Sequence, residues 1–225
     1  MAGALRELVE KVYGELLVSA KGELLSAVGP TTKREVLLRQ AAYGAVLKVL
    51  LYAALERELG LPSLTKSDDL KALMDEAWRK SGLEALKPSW IDTAFQFLES
   101  SKLRSELQIT VEALEKAPGD VFGKLYEELT PQEERRKLGE FYTPQSIAEF
   151  MVAWAVRGEG AEVLDPGAGS GTFLVEAVRR LRAMGVERPA ERVVGVDVNP
   201  LAVLMATLNL LRVEPGSRPR VLLAD

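Results

Sequence analysis

The stretch Val163-Leu164-Asp165-Pro166-Gly167-Ala168-Gly169-Ser170-Gly171-Thr172-Phe173-Leu174-Val175 decides how the second half of this chain folds. A short apolar run ends on an acid, bends through alternating glycines and enters an amphipathic segment, which reads as strand, turn and helix. Gly167, Gly169 and Gly171 let the backbone turn sharply and let a ligand approach without meeting a Cβ. A helix starting at Thr172 turns its unpaired N–H groups towards that bend, where they favour an anionic group such as a carboxylate. Asp165 stands where the strand ends and the sheet opens to a ligand.

Spacing narrows the ligand class. A phosphate-cradling P-loop ends in Gly-Lys-Ser/Thr, whereas Gly171 is followed directly by Thr172. The dinucleotide fingerprint is G-x-G-x-x-G. Here the spacing is G-x-G-x-G, and Asp165 beside it would repel a pyrophosphate. That disfavours a nicotinamide dehydrogenase. A zwitterion fits, with its amine near Asp165 and its carboxylate at the helix start. The plainer alternative is a glycine turn that serves only tight strand–helix packing. The correctly placed acid and helix start weigh against it.

Asp165-Pro166-Gly167-Ala168-Gly169-Ser170-Gly171-Thr172-Phe173-Leu174 resembles the S-adenosylmethionine-binding motif of class I methyltransferases. Its D-P-x-x-G-S-G-x-F form is similar to that of DNA adenine-N6 methyltransferases, and the resemblance runs from about Leu138 to Asp225. Upstream, Gly139-Glu140-Phe141-Tyr142-Thr143-Pro144 is similar to the motif that precedes the first strand in that family. The resemblance implies that Phe141, Tyr142, Thr143 and Pro144 close over the methionine end of S-adenosyl-L-methionine. It further implies cofactor contacts from Asp165, Pro166, Gly167, Gly169, Ser170, Gly171, Thr172 and Phe173, and from Asp197 and Val198. Asp225 matches the acid that accepts a hydrogen bond from the cofactor's adenine amino group.

The pattern after the glycine turn agrees. A helix from Thr172 to Met184, a loop from Gly185 to Glu191 and a strand from Arg192 to Val196 make a strand–helix–strand unit. Such a unit implies a parallel sheet with a right-handed crossover. Asp197 lies 32 residues past Asp165, at the position of a ribose-binding acid that accepts from both hydroxyls. Asn199-Pro200 opens the next helix as N-cap and N1, running to about Leu211. Arg220 to Ala224 forms a third strand.

The first 130 residues carry a different signature. Leu5, Leu8, Val9, Val12, Leu16 and Leu17 recur at helical steps, predicting a helix to about Val28. Thr32 opens a second helix that runs to about Leu59. Its apolar residues Val36, Leu37, Ala41, Val46, Leu47, Leu50, Leu51 and Leu55 nearly encircle it, as in the central helix of a bundle. A third helix spans Asp68 to about Lys80 with Ser67 as N-cap, and Ser89 to about Ala117 gives one or two more. Asp120 caps a short helix through Leu129. Trp78, Trp90, Phe95 and Phe97 read as packing rather than a base-stacking platform. Glu133-Glu134-Arg135-Arg136-Lys137 reads as a solvated helix face. The expected architecture is therefore α/β. An all-helical domain (residues 1–130) precedes the first half of a Rossmann-like class I methyltransferase domain (residues 131–225) with a truncated parallel sheet. In front of that sheet, Thr143 and Pro144 are expected as N-cap and N1 of a helix from Gln145.

Composition limits the chemistry. No cysteine and no histidine occur in 225 residues, which excludes disulfides, thiolate and histidine catalysis and the usual zinc sites, so no metal is expected. No uninterrupted apolar run of membrane-spanning length and no signal-peptide pattern appear, giving a cytoplasmic expectation with no membrane partner. A net charge of −4 is not the footprint of a free-standing DNA-binding domain. DNA contacts are expected through regions absent from these residues or through a specificity subunit, with the helical domain as a surface for a partner subunit. In the resembled family a later (N/D/S)-P-P-(Y/F/W) loop accepts from the target amine and stacks on the flipped base, and no such tetrapeptide occurs here. The expectation is the N-terminal part of a DNA adenine-N6 methyltransferase, from a type I modification subunit or a fused restriction–modification enzyme. It is inactive alone, and no residue of this chain is assigned a catalytic role. An RNA or protein class I methyltransferase fragment, or a non-catalytic helical assembly module, are the competing readings.

Overall fold

The computed structural model describes residues 2–19, 34–64, 69–98, 120–137 and 143–225. The chain divides into two compact units, Met1–Gly82 with Leu86–Leu138, and Leu83–Ala85 with Gly139–Asp225.

In the first unit, α1 (Ala2–Ser19) and α2 (Arg34–Glu56) pack together. Leu5, Leu8, Val9, Val12 and Leu16 form the buried stripe of α1, whereas Leu17 is exposed. The eight apolar residues that were expected to ring α2 are all buried. At 23 residues α2 is long and apolar enough to cross a membrane by length and composition, but Arg39 and Lys48 interrupt its apolar run and most of it is buried inside the protein. α3 (Leu70–Ser81) is capped by Asp69, whose side chain accepts from the Ala72 N–H at 2.9 Å. Asp69 therefore takes the role expected of Ser67, which lies outside the described residues. Gly82 ends the helix in the left-handed conformation, at φ 68°.

Trp90–Phe97 is a 3-10 helix rather than the expected α-helix. Ser89 and Asp92 form a capping box at its start. Lys48 of α2 donates from Nζ to both Asp92 carboxylate oxygens at 2.8 Å and to the Lys87 carbonyl at 2.9 Å, so a tertiary ion pair fixes this tight turn. Of the four aromatics expected to pack, Phe95 is buried and Trp78, Trp90 and Phe97 are half-buried. The expected continuation to Ala117 lies outside the described residues, as do residues 20–33 at the ends of the first two predicted helices.

α4 (Val121–Leu129) is capped by Asp120, which accepts from Gly123 N–H at 2.8 Å. Tyr43 of α2 donates to the Phe122 carbonyl at 2.7 Å and stacks on Tyr126. α5 (Gln132–Lys137) is not simply a solvated face: Glu134 is buried, and Arg135 reaches back to Glu127 at 2.7 Å and to the Thr130 carbonyl. Those bonds keep α5 with α4, which is why the division falls beyond Leu138 rather than at Thr130-Pro131.

The second unit opens with α6 (Gln145–Ala155). Pro144, rather than Thr143, is its N-cap, with φ −53° and ψ 136°. The extended ψ delays the helix by one residue, and the Pro144 carbonyl accepts from Ile147 and Ala148. Three parallel strands follow in the order β1 (Val163–Asp165), β2 (Val193–Asp197) and β3 (Arg220–Leu223). The crossovers are α7 (Thr172–Ala183) and α8 (Pro200–Val213), and the loop expected before β2 closes with a 3-10 turn over Pro189–Arg192. Asp197 is the last residue of β2, and Ala224 falls just past β3.

Register places Val163, Asp165, Val193, Gly195, Asp197 and Val221 on one face of the sheet. α7 and α8 cover that face through Leu174, Ala177, Val178 and Leu181 and through a run buried from Leu201 to Leu211. Leu164, Val194, Val196 and Leu222 lie on the opposite face, where Leu164 is 64% and Leu222 44% exposed. Parallel strands are ordinarily covered on both faces. Among the described residues, this sheet is covered on one.

Candidate functional site

The carboxyl ends of β1 and β2 bring the two sequence-predicted acids to one edge, on one face of the sheet. Between them lies the glycine turn, in which four backbone N–H groups have fixed partners. Gly167 N–H donates to Asp165 Oδ1 at 3.2 Å, and Ala168 N–H to the Val196 carbonyl at 2.9 Å. Gly169 N–H donates to Asp197 Oδ2 at 2.9 Å, and Gly171 N–H to the Ala168 carbonyl at 2.8 Å. Asp197 thus does more than stand at the edge: it pins the turn to β2. Its Oδ1 accepts from Asn199 N–H at 2.8 Å. Each carboxylate oxygen has two acceptor positions, so both retain capacity towards a ligand.

Asp165 is in a different state. Its Oδ2 is buried and has no hydrogen-bond partner. Burial raises the pKa of its carboxyl above the ordinary carboxylate range. The Gly167 N–H works against this and the neighbouring Asp197 charge adds to it. A buried, unpaired acceptor beside a second acid is costly unless a donor or cation meets it. The site therefore suits a ligand that brings a positive group to Asp165.

α7 starts at Thr172 with Gly171 as its N-cap, in the left-handed conformation at φ 85° and with no side chain capping the helix. Its first N–H groups are left for an anionic partner. An added Cβ at Gly171 would lie 2.9 Å from Ala206 Cα and 3.0 Å from Ala206 Cβ on α8. Gly171→Ala therefore meets both a forbidden backbone region and a wall. It is expected to cost about 2–5 kcal/mol, from roughly 1–2 for the left-handed conformation and 1–3 for overpacking. Urea denaturation measures this, and a change within 0.5 kcal/mol would contradict the geometry. Gly195 is constrained by side chains alone, since a Cβ there would come within 2.6 Å of Leu174 Cδ1.

Of the other predicted residues, Pro166 and Gly167 are exposed at the lip of the turn, and Ser170, Thr172 and Phe173 are half-buried. Ser170 Oγ and Thr172 Oγ1 approach to 3.4 Å. Val198 is 66% exposed just past Asp197. Asp225 is exposed beyond β3, where Ala224 N–H donates to the Asp197 carbonyl at 3.1 Å and brings the two segments alongside. Thr143 and Pro144 lie before α6, whereas Phe141 and Tyr142 fall outside the described residues. A polar depression of about 490 Å³ lined by Glu159, Glu187, Arg188, Glu191 and Arg192 lies at the opposite, amino-terminal ends of the strands, away from the acids.

Two contributors escaped the sequence reading. Asn209 and Ala206, both on α8, bear directly on the turn: Asn209 Nδ2 donates to the Ser170 carbonyl at 2.9 Å, and Ala206 faces Gly171. The available signal was a single amide in the apolar run Leu208-Asn209-Leu210-Leu211, one of two asparagines in the chain.

Residues 117–214 match the family model described as N-6 DNA Methylase. The chain is 31% identical over 168 residues to the Type II methyltransferase M.XamI of Xanthomonas campestris pv. amaranthicola, covering 74% of this chain and 27% of that protein. It is 35% identical over 95 residues to the Type I restriction enzyme MjaIX methylase subunit of Methanocaldococcus jannaschii, covering 41% of this chain and 17% of that one. The chain thus spans about a quarter or less of these relatives. The cryoEM structure of the DrdV–DNA complex shares the fold with a TM-score of 0.53 at 14% identity, covering 99% of this chain and 25% of that one. Over residues 117–214 the chain is thus similar to the N-6 DNA methylases.

Proposed function

We propose that this chain is the cofactor-binding N-terminal portion of a DNA adenine-N6 methyltransferase of a restriction–modification system, and that it holds S-adenosyl-L-methionine at the glycine turn. The observation that carries the reading is the pair of acids flanking the turn, one of them with a buried, unpartnered oxygen. Asp165 Oδ2 would take the ligand's amino group. The uncapped start of α7 would take its carboxylate, and Asp197 would accept from the ribose hydroxyls. Thr143 and Pro144 before α6, and Val198 and Asp225 past the strand ends, complete the proposed contacts with the residues of the turn. When bound, the cofactor supplies a methyl group activated on a sulfonium. The protein's part is to orient that group and to keep the turn in one shape.

Methyl transfer to adenine asks for more. The exocyclic amine of adenine is a weak nucleophile because its lone pair is delocalised into the ring, so acceptors and in-line positioning are required. No (N/D/S)-P-P-(Y/F/W) tetrapeptide occurs in these 225 residues, and the chain alone is proposed to bind without methylating. DNA contacts are assigned to other parts of the parent protein or to a specificity subunit. That assignment is supported by a net charge of −4, which does not draw phosphate backbones.

Titration calorimetry with S-adenosylmethionine tests the reading. Binding that weakens at least about tenfold in Asp197→Ala, as expected for loss of hydrogen bonds to a charged group, supports it, and no binding to the unaltered chain overturns it. Transfer of labelled methyl to DNA by the purified chain would overturn the proposed inactivity.

A further inference from the structure

We infer that Asn209 is a positioning residue that latches the Ser170–Gly171 peptide and thereby selects the amino-acid end of the ligand. The inference rests on the cofactor reading above for its ligand, and on hydrogen bonds for its mechanism. Asn209 is 4% exposed, on the α8 face towards the turn. Its Nδ2 donates to the Ser170 carbonyl at 2.9 Å, and its Oδ1 accepts from Arg212 Nη1 at 3.0 Å. The arginine fixes which way the amide faces, because a guanidinium donates only. The Ser170–Gly171 peptide is consequently held at both ends, its carbonyl by Asn209 and its N–H by the Ala168 carbonyl at 2.8 Å.

The latch matters because a glycine in its second position leaves this peptide free to turn over. Rotating a peptide plane changes ψ of the residue before it and φ of the residue after it. Glycine in the second position accepts either orientation. Gly171, at φ 85°, is that residue. A flip would aim the Ser170 carbonyl where the Gly171 N–H now points, at the Ala168 carbonyl, and would undo the turn from which α7 starts. The first turn of α7 is where the proposed ligand carboxylate sits. Asn209 holds the peptide in the one orientation that gives this turn its shape. Asp197, by contrast, holds Gly169 and faces the ribose. The two anchors therefore serve different ends of the ligand: Asn209 the amino-acid end, Asp197 the nucleoside end.

Asn209→Asp preserves shape and the Arg212 contact but places an acceptor against the Ser170 carbonyl. Asn209→Ala removes the donor without repulsion. Calorimetry on the 225-residue chain compares S-adenosylmethionine with adenosine, which lacks the amino-acid end. Both variants are expected to weaken S-adenosylmethionine at least tenfold while changing adenosine affinity less than threefold. Hydrogen exchange without ligand is expected to speed up in the peptide covering 166–173 more than in β2. Equal loss for both ligands, or exchange that rises uniformly, would show a merely structural residue and overturn the inference. If the unaltered chain binds neither ligand, the cofactor reading fails, and selective exchange at 166–173 still decides whether Asn209 latches the turn.

Discussion

Asp92→Ala is expected to destabilise the helical unit by about 3–5 kcal/mol, the cost of stranding one member of a buried ion pair. Lys48 is 1% exposed and Asp92 6%. The ammonium spends its three donors on the two carboxylate oxygens and the Lys87 carbonyl. Burial lowers the Lys48 pKa, and Asp92 opposes that shift. The sign of the pH dependence follows. With a lowered folded-state pKa, the unfolded chain binds more protons between the lowered and ordinary values, so stability rises with pH through that window. Removing Asp92 widens the window towards neutrality. Urea denaturation of Asp92→Ala should therefore show a deficit that shrinks as pH rises. The double variant Lys48→Met/Asp92→Leu should recover most of the loss, because both desolvated charges are gone. A single-variant cost under 1 kcal/mol, or a double variant no better than the single, would show that the pair contributes little.

Asp165→Asn is expected to move stability and binding in opposite directions. The raised pKa means that the folded chain holds a proton the unfolded chain has released, between the ordinary and raised values. Stability from this group is therefore present at low pH and falls as pH rises through that window. Above the window the ionised carboxylate, with an unpartnered buried oxygen, keeps a standing penalty. The amide removes that charge beside Asp197, so the ligand-free variant should melt higher than the parent at neutral pH. Affinity for S-adenosylmethionine should fall about a hundredfold, as for truncation of one partner of a buried charge pair. In the unaltered chain, binding near the raised pKa should release a proton, visible as a dependence of calorimetric heat on buffer ionisation enthalpy. A variant that is destabilised at neutral pH, or that binds as well as the parent, would refute this account of Asp165.

Features with local causes were readable from the chain. Asp120 and Asn199-Pro200 cap helices through bonds two or three residues away, and the period of α2 announced a central helix because nearly all of its faces are apolar. The position of both acids at strand ends was legible from an apolar run that closes on an acid, with a glycine turn after Asp165 and a helix cap after Asp197. Non-local causes were not readable. Trp90–Phe97 has the periodicity of an α-helix, but a lysine 44 residues upstream helps to hold it in the tighter form. Asn209 holds a carbonyl 39 residues away, and nothing near it in sequence signals that partner. The Asp197 bond to Gly169 likewise joins two motifs that had been read separately.

The one-sided sheet has a consequence for division of labour. The acids and the turn lie at one sheet edge, Asn209 reaches the turn from the layer of crossover helices, and the opposite side presents Leu164, Leu222 and the exposed Arg220. Whatever packs against Leu164 and Leu222 could therefore change without reshaping the glycine turn, because a single layer of strands separates the two.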